Sequence, residues 1–186
     1  MKDYHRKNHE FSLCGLACNL CVMYLGRYCP GCGNENQSCR LKRCAIEHGK
    51  LEFCNQCHEF PCYEYEGRDE YDSFITIRNR YKDFEQLSEL GETVFIARLK
   101  QKANILKYLL DNYNDGRKKT FYCLAVNLLD LKDLQIVMEQ IDEVILESDS
   151  LKIKAAKCVD CFNEMAKQRN IVLKLNKKKK EKSKCV

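Results

Sequence analysis

The sequence predicts a small cysteine-rich metal-knuckle module with little regular structure, joined to an all-α helical bundle. Three observations point to it. Ten of the fourteen cysteines lie between Cys14 and Cys62. Both prolines and five of the eight glycines lie in the same stretch, which therefore reads as turns rather than as helix or strand. From Tyr71 onward the texture changes: apolar residues recur at three- and four-residue spacing, with no two-residue alternation that would mark a strand.

A chain of 186 residues fits one domain, or one domain with a small module attached. Apolar residues make up 45%, enough for a core, but few of them fall in the cysteine stretch. No run approaches ~18 consecutive apolar residues, so no membrane span is expected. The start, Met1 to Phe11, is polar and lacks an apolar run of signal-peptide length. The expected location is the cytoplasm, where thiols stay reduced and clustered cysteines serve as metal ligands rather than disulfides. The net charge of +5 sits at one end: Lys174 to Val186 carries seven lysines and one glutamate, which leaves residues 1–173 at −1. The folded body is not a basic protein.

Taken in order, residues 1–12 read as a flexible lead-in with His5 and His9. Residues 13–66 form the cysteine-rich zinc-binding module. Within it, Cys29-Pro-Gly-Cys32-Gly is a tight knuckle, its glycines permitting the positive φ that turns backbone N–H groups toward sulfur. Arg40 to His48 can form a short helix stopped by Gly49, and Tyr63 to Asp72 reads as an acidic linker.

Residues 71–173 read as a bundle of about five helices. Phe74, Ile77, Arg78, Tyr81 and Phe84 mark the first, which Gly91 separates from the next. Phe95, Leu99, Ile105, Leu106, Leu109 and Leu110 mark the second, ended by Asn112 to Gly116. Phe121 to Leu129 is almost entirely apolar and should be buried. Asp130 can cap a helix to about Glu147, and Ser148 to Ser150 a last one to about Arg169. Ile171 to Leu175 is a short extended segment, and residues 174–186 read as a basic disordered tail.

Cysteine pairs at x₂ spacing occur four times: Cys18/Cys21, Cys29/Cys32, Cys54/Cys57 and Cys158/Cys161. Two intervening residues let both sulfurs reach one tetrahedral ion ~2.3 Å away without backbone strain. The first three pairs lie among turn residues, whereas buried structural thiols prefer apolar helices and strands. The fourth lies in a Lys- and Ala-rich helix and reads as core or half-buried thiols. Cys123 reads the same way, and Cys185 as a loose thiol on the tail.

The candidate metal ligands are thus Cys14, Cys18, Cys21, Cys29, Cys32, Cys39, Cys44, Cys54, Cys57 and Cys62. Sequence proximity divides them into Cys29, Cys32, Cys39 and Cys44 for one zinc, and Cys18, Cys21, Cys54 and Cys57 for another, with Cys14 and Cys62 as spares or bridges. Two zinc ions per chain are expected, with three as the alternative. His48 and His58 are spare ligands or surface residues beside the site.

Other chemistries fit less of the chain. Cys14-x₃-Cys18-x₂-Cys21 can hold an iron–sulfur cluster completed by a further cysteine, which makes a redox or sensing protein the alternative. The same spacing serves radical enzymes, but this chain is too short and helical for a barrel around S-adenosylmethionine, and Leu20 replaces the usual aromatic residue. Cys54-x₂-Cys57-His58 matches a covalent haem motif, yet its sulfurs belong to the metal framework and no export segment precedes it. Arg40, Lys42 and Arg43, with the lysine tail, offer a basic edge for nucleic acid. No Ser-His-Asp set, Gly-rich phosphate loop or isolated carboxylate pair is visible, so the chain reads as a binding protein more than an enzyme. The expected partner is a macromolecule, protein ahead of nucleic acid, and not a membrane.

Leu13-Cys14-Gly15-Leu16-Ala17-Cys18-Asn-Leu-Cys21-Val-Met-Tyr24 resembles the opening of an uncharacterised prokaryotic family, domain of unknown function 3795. Cys29-Pro-Gly-Cys32, Cys39-Arg-Leu-Lys-Arg-Cys44-Ala45 and Gly49-Lys-Leu-Glu-Phe-Cys54-x₂-Cys57-x-Glu-Phe-Pro61-Cys62 continue the likeness in order, over about residues 11–66. Tyr113 to Ala125 is similar to the C-terminal extension of longer members. The resemblance implies zinc binding and no particular activity.

Overall fold

The structure is a computed structural model and describes residues 4–33 and 39–178. Among these residues there are seven α-helices and no strand; Phe11 and Ala17 form an isolated antiparallel bridge. Two helices belong to the cysteine-rich part: α1 (Val22–Leu25) and α2 (Arg40–Glu47). Five make the helical half: α3 (Arg80–Leu90), α4 (Glu92–Asn112), α5 (Lys119–Leu128), α6 (Leu131–Val144) and α7 (Leu151–Gln168).

The breaks fall where backbone chemistry requires them. Gly91, at φ 76°, separates α3 from α4. Leu129 turns extended at φ −80°, ψ 147°, and Asp130 follows at the start of α6. Helix α5 is the central rod of the bundle. Its residues Tyr122 to Leu128 are all buried, as its nearly unbroken apolar sequence requires. Cys123 and Cys158 lie in this core, and Cys161 is half-buried on α7.

The first bundle helix begins at Arg80, not Tyr71. Residues 71–79 are instead held by Asp72, a buried carboxylate that accepts hydrogen bonds from the Ile77 and Asn176 amides at 3.0 and 2.8 Å. The Asp72 amide donates to the Asn176 carbonyl at 2.7 Å. Arg78 donates to the Val172 and Lys174 carbonyls at 2.7 and 3.1 Å. The start of the segment expected to be a disordered tail, residues 174–186, is therefore tied down from Lys174 to Lys177; residues 179–186 of it lie outside the described residues. Losing the Asp72 carboxylate strands two amides, and each hydrogen bond to a charged group contributes about 1.5–3 kcal/mol. Asp72→Ala should lower unfolding stability by about 2–4 kcal/mol in urea with an unchanged slope. A shift near zero would mean that the tail contact carries no energy.

The lead-in is also ordered. Tyr4, Arg6, Phe11 and Ser12 are buried. Arg6 donates to the Glu52 and Phe11 carbonyls at 2.9 and 3.0 Å, and its guanidinium lies 5.4 Å from the Phe53 ring centroid. The Glu52 carboxylate in turn accepts the Lys7 and Asn8 amides at 3.1 and 2.8 Å. A polar sequence thus packs because one charged pair organises it, where a flexible lead-in was expected from composition.

The acidic linker is packed too. Glu64 and Tyr65 are buried; Glu64 pairs with Arg40 at 3.0 Å, and Asp69 bonds Arg80 and Tyr81. The two parts of the chain share one apolar core. Phe11 is fully buried, its ring 5.8 Å from Phe53, 5.7 Å from Phe84 and 4.9 Å from Phe95. Leu13, Leu20, Leu41 and Tyr65 continue that core into the cysteine-rich part. Gly15 makes the close approach possible. It sits at φ +82°, and a Cβ there would meet the Phe84 ring at 2.6 Å.

Candidate metal centre

Cys44, Cys54, Cys57 and Cys62 line one cavity of about 20 Å³, closed by Leu41, Ala45, Leu51, Phe60 and Tyr65. That is about the space of one water molecule. The thiols come from three local elements: α2, one 3-10 turn that brings both Cys54 and Cys57, and the start of a second 3-10 turn. Cys44 lies on α2, one turn beyond Leu41, so both reach the same face. Cys54 opens a 3-10 turn, Cys54–Gln56, and the Cys57 amide closes it on the Cys54 carbonyl at 3.0 Å. Phe60 then bonds back to the Cys57 carbonyl at 3.1 Å. Cys62 precedes a second 3-10 turn, Tyr63–Tyr65, with the Tyr65 amide 2.9 Å from its carbonyl.

The electrostatics match four neighbouring sulfurs. Burial raises the pKa of the Cys44 thiol, and Cys62 and Cys57 add to the rise. Burial pushes Cys54 up to about 12, Tyr65 working the other way. The Tyr65 hydroxyl is buried without a hydrogen-bond partner of ordinary geometry, and its pKa is raised by burial and then by the Cys54 sulfur. On the outer side, the His48 Nδ1 lies 3.6 Å from the Cys44 sulfur and 2.9 Å from its carbonyl. His58 is exposed and near Glu59, away from the cavity lining.

A second group gathers around the Ser12 turn. The Ser12 hydroxyl accepts the Leu16 amide at 2.7 Å and lies 3.3 Å from the Cys14 sulfur. The Leu13 amide donates to the Cys32 sulfur at 3.4 Å. Burial raises the Cys14 thiol, and Cys32 and Cys39 raise it further. Cys18 is raised by burial and then by Cys32, Cys14, Cys21 and Cys29. Gly33, at φ +94°, lets this loop lie against the Arg6 side chain, where a Cβ would stand 3.0 Å from Arg6 Cγ. The two groups adjoin: the Cys54 amide donates to the Leu13 carbonyl at 2.9 Å, and Cys14 is the sulfur that raises Cys54 most, ahead of Cys44 and Cys62.

This grouping differs from the division expected from sequence proximity. Cys44 joins Cys54, Cys57 and Cys62 instead of Cys29, Cys32 and Cys39. Cys18 neighbours Cys32, Cys14, Cys21 and Cys29, and Cys21 also lies within electrostatic reach of Cys123 on α5. The physical reason is α2, which carries Cys44 away from Cys39 and presents it beside Leu51 and Phe60. Every described cysteine is a free thiol. Among the described residues no three His, Cys, Asp or Glu side chains converge as a preformed coordination group.

The expected basic edge is broken up. Lys42 is buried with its ammonium 6.0 Å from the Tyr4 ring centroid, and Arg40 is paired with Glu64. Of the three, Arg43 alone stays exposed with no ion pair among the described residues. Sequence reasoning did not find Ser12 or Tyr65, which contact the thiols through long-range packing and follow no spacing rule.

Fold and site together define a cysteine-rich, mostly helical protein in which Cys44, Cys54, Cys57 and Cys62 line one small cavity. None of its helices is long and apolar enough to cross a membrane. No family model, curated protein or solved structure matches the chain. These comparisons neither support nor contradict the family resemblance drawn from the sequence.

Proposed function

We propose that this chain is a zinc protein in which Cys44, Cys54, Cys57 and Cys62 hold one ion and Cys14, Cys18, Cys29 and Cys32 a second. The observation that carries the reading is the first cavity: four thiols from three separate local elements line a space for one small particle. Four thiolates suit tetrahedral zinc, and a closed set with no open position makes the metal structural rather than catalytic. The unpartnered Tyr65 hydroxyl fits as an outer donor to a Cys54 thiolate, and the Leu13 amide as one to Cys32. Zinc binding draws the sulfurs of each group inward and displaces their protons. Cys21 and Cys39 stay outside the two sets and are available for a third ion.

The role that follows is a macromolecular interaction module, with a protein partner favoured. The burial of Lys42 and the pairing of Arg40 weaken the nucleic-acid alternative. Protein purified anaerobically should be colourless and carry two zinc ions per chain by elemental analysis. A brown protein with iron and acid-labile sulfide would replace this reading with the iron–sulfur one.

A further inference from the structure

Between α3, α4 and the start of α6, and lined by no cysteine, lies a cleft of about 470 Å³. That lies within the ~300–1,000 Å³ usual for small-molecule sites. Asn79, Asp83 and Gln86 present one face of α3 to it. Phe95, Arg98, Leu99 and Lys102 present one face of α4, at the spacing of a single helical stripe. Asp130, Leu131, Lys132 and Gln135 complete it from α6.

The polar groups in this cleft are only partly satisfied. Asp130 is engaged by Lys82 at 2.6 Å and makes no capping bond to α6. Asp133, in the first turn of α6, is taken by Arg169 at 2.7 Å. The first amides of α6, at Leu131, Lys132 and Asp133, accordingly have no acceptor among the described residues. Lys102 donates to the Asn127 carbonyl at 2.9 Å. The Asp83 carboxylate, and the Arg98 and Lys132 side chains, have neither a hydrogen bond nor an ion pair among the described residues. Phe95, Leu99 and Leu131 give the cleft an apolar floor.

We propose that this cleft binds a small organic anion, a phosphate ester or carboxylate that also carries hydrogen-bond donors. The anionic group is held by Arg98, Lys132 and the free amides of α6, and the donor end is received by Asp83. The assignment follows from sign. Once Lys82 is set against Asp130, the lining still holds three cations, Arg98, Lys102 and Lys132, against the one carboxylate of Asp83. An anion therefore gains both the surplus charge and the helix dipole. Burial pushes Asp83 up to about 7 and Lys102 down to about 8, so both charges are poorly solvated within the cleft. A ligand with both features satisfies them together.

The test is amide-resolved NMR of the full-length, zinc-loaded protein at low ionic strength, titrated separately with inorganic phosphate and with succinate. Saturable shifts are expected at Leu131, Lys132 and Asp133. The double variant Arg98→Gln, Lys132→Gln should weaken binding about tenfold or more, the loss of charge-assisted bonds. Both residues are exposed, so an unchanged melting temperature will show that the fold is intact. Saturation by phosphate alone assigns a phosphoryl ligand, by succinate alone a carboxylate, and by both the wider class. Unsaturable drift with both probes overturns the proposal. Saturable shifts that map elsewhere, or that survive the double variant, overturn it as well.

Discussion

Replacing Phe11 with alanine is expected to destabilise the whole chain by about 3–5 kcal/mol, the usual loss for a buried aromatic ring. Phe11 is 0% exposed and touches Phe53 from the cysteine-rich part, Phe84 on α3 and Phe95 on α4. Its two edge-on contacts, with Phe84 and Phe95, add to the area term. Because the ring joins both parts, the cavity left behind lies between them. Urea unfolding followed by helix signal and by zinc release should shift together for Phe11→Ala. If zinc release moves and the helix signal does not, the two parts have separate cores.

If the chain holds zinc as proposed, removing the metal should have the other large effect. Between Cys14 and Cys62 the described regular structure is one helix of four residues, one of eight, and two 3-10 turns. Ordering this stretch costs ~1–2 kcal/mol per residue, whereas structural zinc can contribute roughly 10 kcal/mol or more per site. Chelation of the reduced protein should open the 50–66 region to protease first, since all but one of the thiols lining the first cavity lie there. Helices α4 to α7 should keep their far-UV signal, but with a lowered melting temperature, because Phe11, Leu13 and Phe53 belong to the same core. Uniform protease resistance in fully metal-free, reduced protein would show that the thiols need no ion.

Most of the helical half was legible because its signals are local. The apolar run Phe121 to Leu129, the break at Gly91 and the Asp130 and Ser150 starts all announce themselves within a few residues, and α4 to α7 lie close to their expected places, whereas α3 starts later, at Arg80. Which cysteines share the first cavity was not legible in their spacing. Spacing along the chain favours neighbours such as Cys39 and Cys44, yet one turn of α2 separates them in direction. The order of residues 4–12 and of Lys174 to Lys177 was hidden for the same reason. Arg6 acts through Glu52, and Asn176 through Asp72, across separations no local pattern reveals. The cleft between α3, α4 and α6 depends on how helices cross, which periodicity does not encode.

The central claim is that Cys44 and Cys57, thirteen positions apart, serve one and the same ion. Zinc content of anaerobically purified Cys44→Ser, Cys57→Ser and the double variant tests it directly. The account predicts that each single variant loses one zinc and that the double loses no more than either single. If the two losses add, so that the double variant loses two, Cys44 and Cys57 belong to different sites and the grouping is wrong.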